Sequence, residues 1–166
     1  MRNFVSRLIA LAALLPLGTT GSASVVGADA PACLSGKPSV EVIVSGFKQP
    51  SGTIKVTLYD GNPARYLVRH GKLRNVVVPV RSMAPMAICI AVPAPGLYAI
   101  ALHHDLNGND EKDRSDGGGF SRNPSLSIFN LKPAFSKTGF RVGNGPTRTS
   151  ITLLYAHGLS IGPVKS

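Results

Sequence analysis

The sequence predicts an all-β fold, a single antiparallel β-sandwich of about seven strands, and three observations predict it. Short runs rich in Val, Ile and Thr recur along the chain, each bounded by Gly, Pro, Asn or Asp. The 18 Gly and 13 Pro make up almost a fifth of the 166 residues, against an average share of about 12%, which leaves little room for long helices. No internal run has the apolar period and length of a stable helix.

The first thirty residues are expected to lie outside that sandwich. Arg2 and Arg7 precede the ten-residue apolar run Leu8–Leu17, and small residues follow, which is the layout of a secretory signal peptide. The run is half the ~20 residues that a membrane-spanning helix needs, and the remaining chain holds no longer one. Cleavage is expected after Ala30 (Ala28-Asp29-Ala30) or after Ala23 (Gly21-Ser22-Ala23). Residues 1–30 are therefore read as the signal peptide and 31–166 as one domain, destined for the periplasm or for secretion.

Residues 31–38 read as an irregular leader, and strands are then expected in order. They are Val40–Ser45, Thr53–Tyr59, Tyr66–His70, Arg74–Val80, Met86–Val92, Gly96–His104 and Thr147–Tyr155. Thr53–Tyr59 shows the pattern most plainly, with Ile54, Val56 and Leu58 on one face and Lys55 and Thr57 on the other. The turns Lys48–Gly52, Asp60–Pro63 and Pro93–Gly96 separate the runs. Asp105–Pro146 breaks the pattern as a long Gly/Asn/Asp-rich loop, and long loops in compact domains are usually functional or disordered.

Composition excludes several classes of function. With 43% hydrophobic and 16% charged residues the chain is not a disordered charged tail. Aromatics at 6% and no Trp leave no stacking platform for bases or sugars, so no nucleic-acid partner is expected. The net charge is +10, and removing residues 1–30 leaves sixteen basic against seven acidic residues. In an exported protein that balance favours polyanions of the envelope. Arg65, Arg69, Lys72 and Arg74 surround one turn and, with Arg81, form a candidate polyanion patch; a solvated turn is the alternative. The two cysteines, Cys33 and Cys89, are a candidate disulfide in an oxidising compartment. The alternative for Cys89, inside the apolar run Met86–Val92, is a buried thiol.

Five of the seven acidic residues beyond residue 30 fall within Asp105–Asp116. Their mutual repulsion is relieved by a hard cation, and Ca²⁺ is the expected ion. Asp105, Asn107, Asn109, Glu111, Asp113 and Asp116 stand at positions 1, 3, 5, 7, 9 and 12 of a loop, with Glu111 offering its backbone carbonyl. The fit to the helix-flanked calcium loop is incomplete: Asp110 replaces the sixth-position Gly, Asp116 the final Glu, and a strand precedes it. A weak site, in the ~10⁻⁴–10⁻³ M range of extracellular modules, is expected. An ion-free turn in which Asn and Asp side chains bond the local backbone is the alternative.

His103 and His104 precede the loop, and alternation along a strand puts them on opposite faces. A transition-metal site would need one of them to meet His70 or His157, and no metal-ligand spacing supports that. A hydrolase reading would use His104 as base, Asp105 as orienter and Ser121 as nucleophile. The Gly-x-Ser-x-Gly elbow that such an enzyme often carries is missing.

Three segments together carry a resemblance. They are Gly96-Leu-Tyr-Ala-Ile-Ala-Leu-His-His-Asp-Leu-Asn-Gly-Asn109, Gly119-Phe-Ser-Arg-Asn123 and Pro133-Ala-Phe135. They are similar to the bacterial family called domain of unknown function 2141, whose pattern runs G-x-Y-A, four apolar residues, H-D-x-N-x-N, then G-F-S-x-N and P-x-F-x-x-A-x-F. The resemblance spans roughly Val40 to Tyr155. It implies an exported bacterial β-sandwich of the prealbumin-like or immunoglobulin-like type, without established activity. His104, Asp105, Asn107, Asn109, Gly119, Phe120, Ser121 and Asn123 match the motif. Two departures stand out: Ser115–Gly118 replaces a longer approach to G-F-S, and Thr138 stands where the pattern has Ala. A noncatalytic exported module is expected, with a calcium-ordered loop and an envelope component or protein as partner.

Overall fold

The computed structural model describes residues 24–164. The expected signal peptide therefore lies outside the described residues up to Ala23, whereas residues 24–30 are part of the fold. The elements are β1 (Val25–Val26), α1 (Ala30–Leu34), β2 (Ser39–Ser45), β3 (Thr53–Asp60), β4 (Lys72–Pro79), β5 (Met86–Ala91), β6 (Gly96–Asp105), β7 (Gly117–Phe120), α2 (Phe135–Thr138), β8 (Phe140–Val142), β9 (Pro146–Thr152), β10 (Leu154–His157) and β11 (Ser160–Gly162). They form two sheets. One has the order β1-β5-β2-β9, and the other β11-β10-β7-β6-β3-β4 with β8 beside the start of β6. No helix among the described residues is long and apolar enough to cross a membrane.

One core cluster holds residues of both sheets. Val40, Val42 and Val44 of β2, Ile88 and Ile90 of β5 and Ile151 of β9 meet Ile54, Val56 and Leu58 of β3, Val76 and Val78 of β4, and Ile100 and Leu102 of β6. Period-two alternation delivers each of these side chains to the same face of its strand, and each buried Val, Leu or Ile contributes roughly 1.5–3 kcal/mol. Met86–Ala91 is a continuous apolar run because β5 is covered twice. Ile88 and Ile90 enter the core, while Cys89, fully buried, faces α1 and bonds to Cys33 across a Cα–Cα distance of 6.1 Å.

A smaller cluster sits on the other face of the larger sheet, where Tyr59, Tyr66, Ala99 and Phe135 pack together. Tyr66 meets Tyr59 and Phe135 edge-on, with ring centroids 5.3 and 5.5 Å apart. Burial pushes the Tyr66 hydroxyl up to about 12, with Thr138 acting against the shift. That hydroxyl nonetheless makes no hydrogen bond of good geometry among the described residues.

The architecture departs from the expected one in four places. The described residues form eleven strands instead of about seven: β1, β7, β8 and β11 are additional, Thr147–Tyr155 divides into β9 and β10, and Tyr66–His70 drops out. The sheets are mixed: β2 pairs with β9 and β1 with β5 in parallel, and the other pairings are antiparallel. Tyr66–His70 is not a strand. Pro63–Arg65 and Arg69–Gly71 are 3₁₀ turns, and Leu67 at φ 56° turns the chain so that Tyr66 reaches the second cluster. Thr147–Tyr155 is two strands, not one, because the chain crosses between sheets at the fully buried Leu153, whose N–H donates to the Ser45 carbonyl at 2.9 Å.

Candidate functional site

The residues singled out by sequence gather at the end of β6 and along β7. His103 and His104 fall on opposite faces, as alternation requires. His104 is fully buried and its ring packs edge-on against Phe47 at 5.3 Å. Its Nε2 lies 3.0 Å from the Ser51 carbonyl, which only accepts, so the proton is on Nε2. Nδ1 is then an acceptor, and the Tyr155 hydroxyl donates to it at 2.7 Å while accepting from the Lys48 N–H at 3.1 Å. Burial lowers the His104 pKa and pushes the Tyr155 hydroxyl up to about 12, so both groups stay neutral. This chain of bonds ties β6, β10 and the turn Lys48–Ser51 together. Tyr155, Lys48 and Ser51 carried no signal in the sequence, being about fifty residues from His104.

On the opposite face His103 Nε2 lies 2.9 Å from an Asp116 carboxylate oxygen. The acidic loop closes on itself from there. Asp116 also accepts from the Leu106 and Asp113 N–H groups, and Asp105 from those of Gly108 and Asp110 at 2.8 Å. Asp113 accepts from the Asn107 and Asn109 amides at 2.7 and 3.1 Å, while the oxygens of those amides accept from Asn109 N and Glu111 N. Burial pushes the Asp116 carboxyl up, but the Asp113 N–H, His103 and the Leu106 N–H outweigh it and hold it below the usual range. Asp110 forms an exposed ion pair with Lys55, which lowers its pKa. The loop thus has the Asx-turn bonding that its composition favours. Among the described residues, no three His, Cys, Asp or Glu side chains form a group placed to hold an ion.

Gly119–Asn123 works as a clamp between the sheets. A Cβ on Gly119 would stand 2.8 Å from Ile151 Cγ2, and one on Gly117 2.5 Å from the Tyr155 ring, so β7 approaches its neighbours as only glycine allows. Ser121 is fully buried; its hydroxyl accepts from Ile100 N at 3.0 Å and donates to the Thr138 carbonyl at 2.6 Å. Arg122 and Asn123 both adopt positive φ, 65° and 47°, a conformation that costs a non-glycine residue roughly 1–2 kcal/mol. Hydrogen bonds offset that cost. Arg122 donates to the Ser136 carbonyl at 3.0 Å, and the Asn123 amide bridges the Ser150 carbonyl and the Thr152 N–H at 3.0 and 2.9 Å. The amide so imitates a strand along the free edge of β9. Phe120 packs beside the second cluster and lines, with Asn123, Pro124, Leu126, Leu154 and Ile161, a shallow open cleft of about 350 Å³.

His104, Asp105 and Ser121 are not brought together as a catalytic set. Ser121 bonds at Ile100, four residues before His104 along β6, and the Asp105 carboxylate serves the loop. All five residues of the basic patch, Arg65, Arg69, Lys72, Arg74 and Arg81, are exposed; Arg65 pairs with Asp60 and Arg74 with the buried Asp29. Burial pushes the Asp29 carboxyl up, but Arg74 and the Ala91 N–H outweigh it and hold the pKa low.

Comparison with known proteins adds the family. No curated protein and no solved structure matches the chain significantly. A family profile matches residues 42–150, which run from within β2 into β9 and include the acidic loop and the Gly119–Asn123 clamp. The chain therefore belongs to the family described as an uncharacterized protein conserved in bacteria (DUF2141).

Proposed function

We propose that this protein is an exported, noncatalytic β-sandwich module that binds a component of the bacterial envelope. The observation that carries the reading is the burial of Ser121 and His104: each polar atom of these side chains is spent on the fold, and no water-accessible nucleophile with a base beside it remains among them. A nucleophile has to reach its substrate with the base in hydrogen-bond range, and neither condition is met. Export is supported by the signal-peptide layout that ends at Ala23, the earlier of the two expected cleavage points, and by the Cys33–Cys89 disulfide, which suits an oxidising compartment. The excess of positive charge suits an envelope whose polymers and lipids are anionic. The test is turnover of an ester, peptide and phosphoester panel by the purified, oxidised protein. The reading predicts none above buffer. Turnover that Ser121→Ala abolishes, at a temperature where that variant stays folded, overturns it.

A second reading concerns the acidic loop, where Asn107 and Asn109 converge on Asp113. Calcium would enter by replacing those amide donors, with Asp105, Asp113 and Asp116 as the charged ligands and Asn107, Asn109 and Glu111 supplying the remaining oxygens. Thermal unfolding in EDTA, then in millimolar calcium or magnesium, tests it. A calcium-selective rise of several degrees is expected. Equal melting in all three solutions removes the ion from the account.

A further inference from the structure

The envelope-binding reading leaves open which component is bound, and one surface of the molecule narrows it. From Gly117 to Ser166 the chain contains no Asp or Glu and six Lys or Arg. Within that stretch, residues 124–132 leave the sheets. They are anchored on one side by the Asn123 clamp and on the other by Phe135, which is buried in the second cluster. At their middle Ser127 and Asn130 exchange backbone hydrogen bonds of 3.3 and 3.0 Å, closing a tight turn. The turn presents Phe129, which is 93% exposed, and the neighbouring Leu131 is 52% exposed. Arg122, Lys132 and Lys137 flank it, all exposed. Displaying an aromatic ring at the tip of a fixed turn is unfavourable in water and gains nothing for the core.

We infer that the Arg122–Lys137 excursion is an interfacial anchor that seats on an anionic lipid bilayer, with Phe129 and Leu131 entering the headgroup boundary and the flanking cations meeting lipid phosphates. This inference rests on the envelope-binding reading above. An exposed apolar tip with Lys and Arg on both sides of it in the sequence is the composition that partitions into such a surface. Two other occupants fit less well. A soluble polyanion satisfies the cations but offers no apolar phase for Phe129 and Leu131. A second copy of the chain would bring its acidic loop, whose exposed residues, 107–112, Arg114 and Ser115, are all polar or lack a side chain and offer no apolar phase.

The test is cosedimentation of the oxidised, exported protein with sucrose-loaded vesicles, either phosphatidylcholine alone or phosphatidylcholine mixed with phosphatidylglycerol. Binding to the mixed vesicles that weakens as salt is raised is expected, with far less on phosphatidylcholine alone. Phe129→Ser combined with Leu131→Ser should weaken binding by at least about tenfold. Both residues are exposed, so that variant should keep the parent melting temperature. Absence of binding to the anionic vesicles, or binding indifferent to the double substitution, overturns the inference. So does equal affinity for a soluble polyphosphate. Envelope fragments added in parallel separate the two readings: if they bind the protein and the vesicles do not, the bilayer inference fails while the wider reading stands.

Discussion

The Asp29 carboxylate is buried against β5, where it accepts the Ala91 N–H at 2.9 Å and both Nε and Nη2 of Arg74. One side chain thus joins the first described segment to β4 and β5. The same segment is tied again four residues on by Cys33–Cys89, and β1 lies along β5 in parallel register. Val25–Leu34 is a strap that starts as the edge strand of the smaller sheet and runs on through α1 to its bond with Cys89.

The strap makes a prediction about where the folded chain must begin. A protein starting at Pro31 lacks Asp29, so the part-buried Ala91 N–H and Arg74 lose their acceptor and β5 loses β1. Such a chain should be about 2–4 kcal/mol less stable to urea than one starting at Ser24. Asp29→Ala in the longer chain should reproduce roughly 1–3 kcal/mol of that loss. Equal stability of the two chains would show that the strap is not needed.

Reduction and alkylation of Cys33–Cys89 should destabilise the protein by about 4 kcal/mol, since the bond closes a long loop. The sequence separation is 56 residues. For a domain of this size the melting temperature should fall by roughly 10–15 °C in a calorimetric scan. A fall of less than about 2 °C would mean that the strap holds without the bond.

His104 predicts the pH dependence. Burial lowers its folded pKa from the ordinary value of 6.5, so below that pH the unfolded chain binds a proton that the folded chain refuses. Stability should fall as pH drops from 6.5 toward the folded pKa. Asp29 and Asp116, whose pKa values are also lowered, contribute losses only further down, below 3.8. Urea midpoints measured from pH 7 to pH 5 should therefore decline for the parent protein and stay nearly level for His104→Gln, which starts lower. A parallel decline in both proteins would assign the effect elsewhere.

Ser121→Ala should remove two buried hydrogen bonds and lower stability by roughly 1–3 kcal/mol. Asn123→Ala should lower it less but bare the β9 edge, so that light scattering rises on concentration. If neither variant changes melting or association, the clamp does not hold the sheets.

Much of this arrangement was legible locally. The alternation of Ile54, Val56 and Leu58 gave β3 and its inward face, and the opposite destinations of His103 and His104 follow from the same period of two. The oxygen-rich spacing of Asp105–Asp116 marked the loop as unusual, with calcium as the expected ion and an ion-free Asx turn as the alternative. What stayed hidden depends on partners far along the chain. No local pattern announces that Tyr155 meets His104, that Asp29 meets Arg74, or that β9 runs parallel to β2. Tyr66–His70 resembled a strand because it is a short run of residues that favour strands, yet Tyr66 and Leu67 serve the second cluster from an irregular turn. Thr147–Tyr155 hid its break at Leu153 because a crossing between sheets can stay apolar throughout. Ser121 resembled a nucleophile by type alone, and only its burial against Ile100 and Thr138 gives its role.

Binding to the envelope is the centre of this account, and equilibrium cosedimentation of the oxidised protein with isolated bacterial envelope fragments tests it most directly. The account predicts saturable binding that weakens as salt is raised from low to physiological strength, in step with the Debye length. Protein that stays in the supernatant at every salt concentration would contradict it.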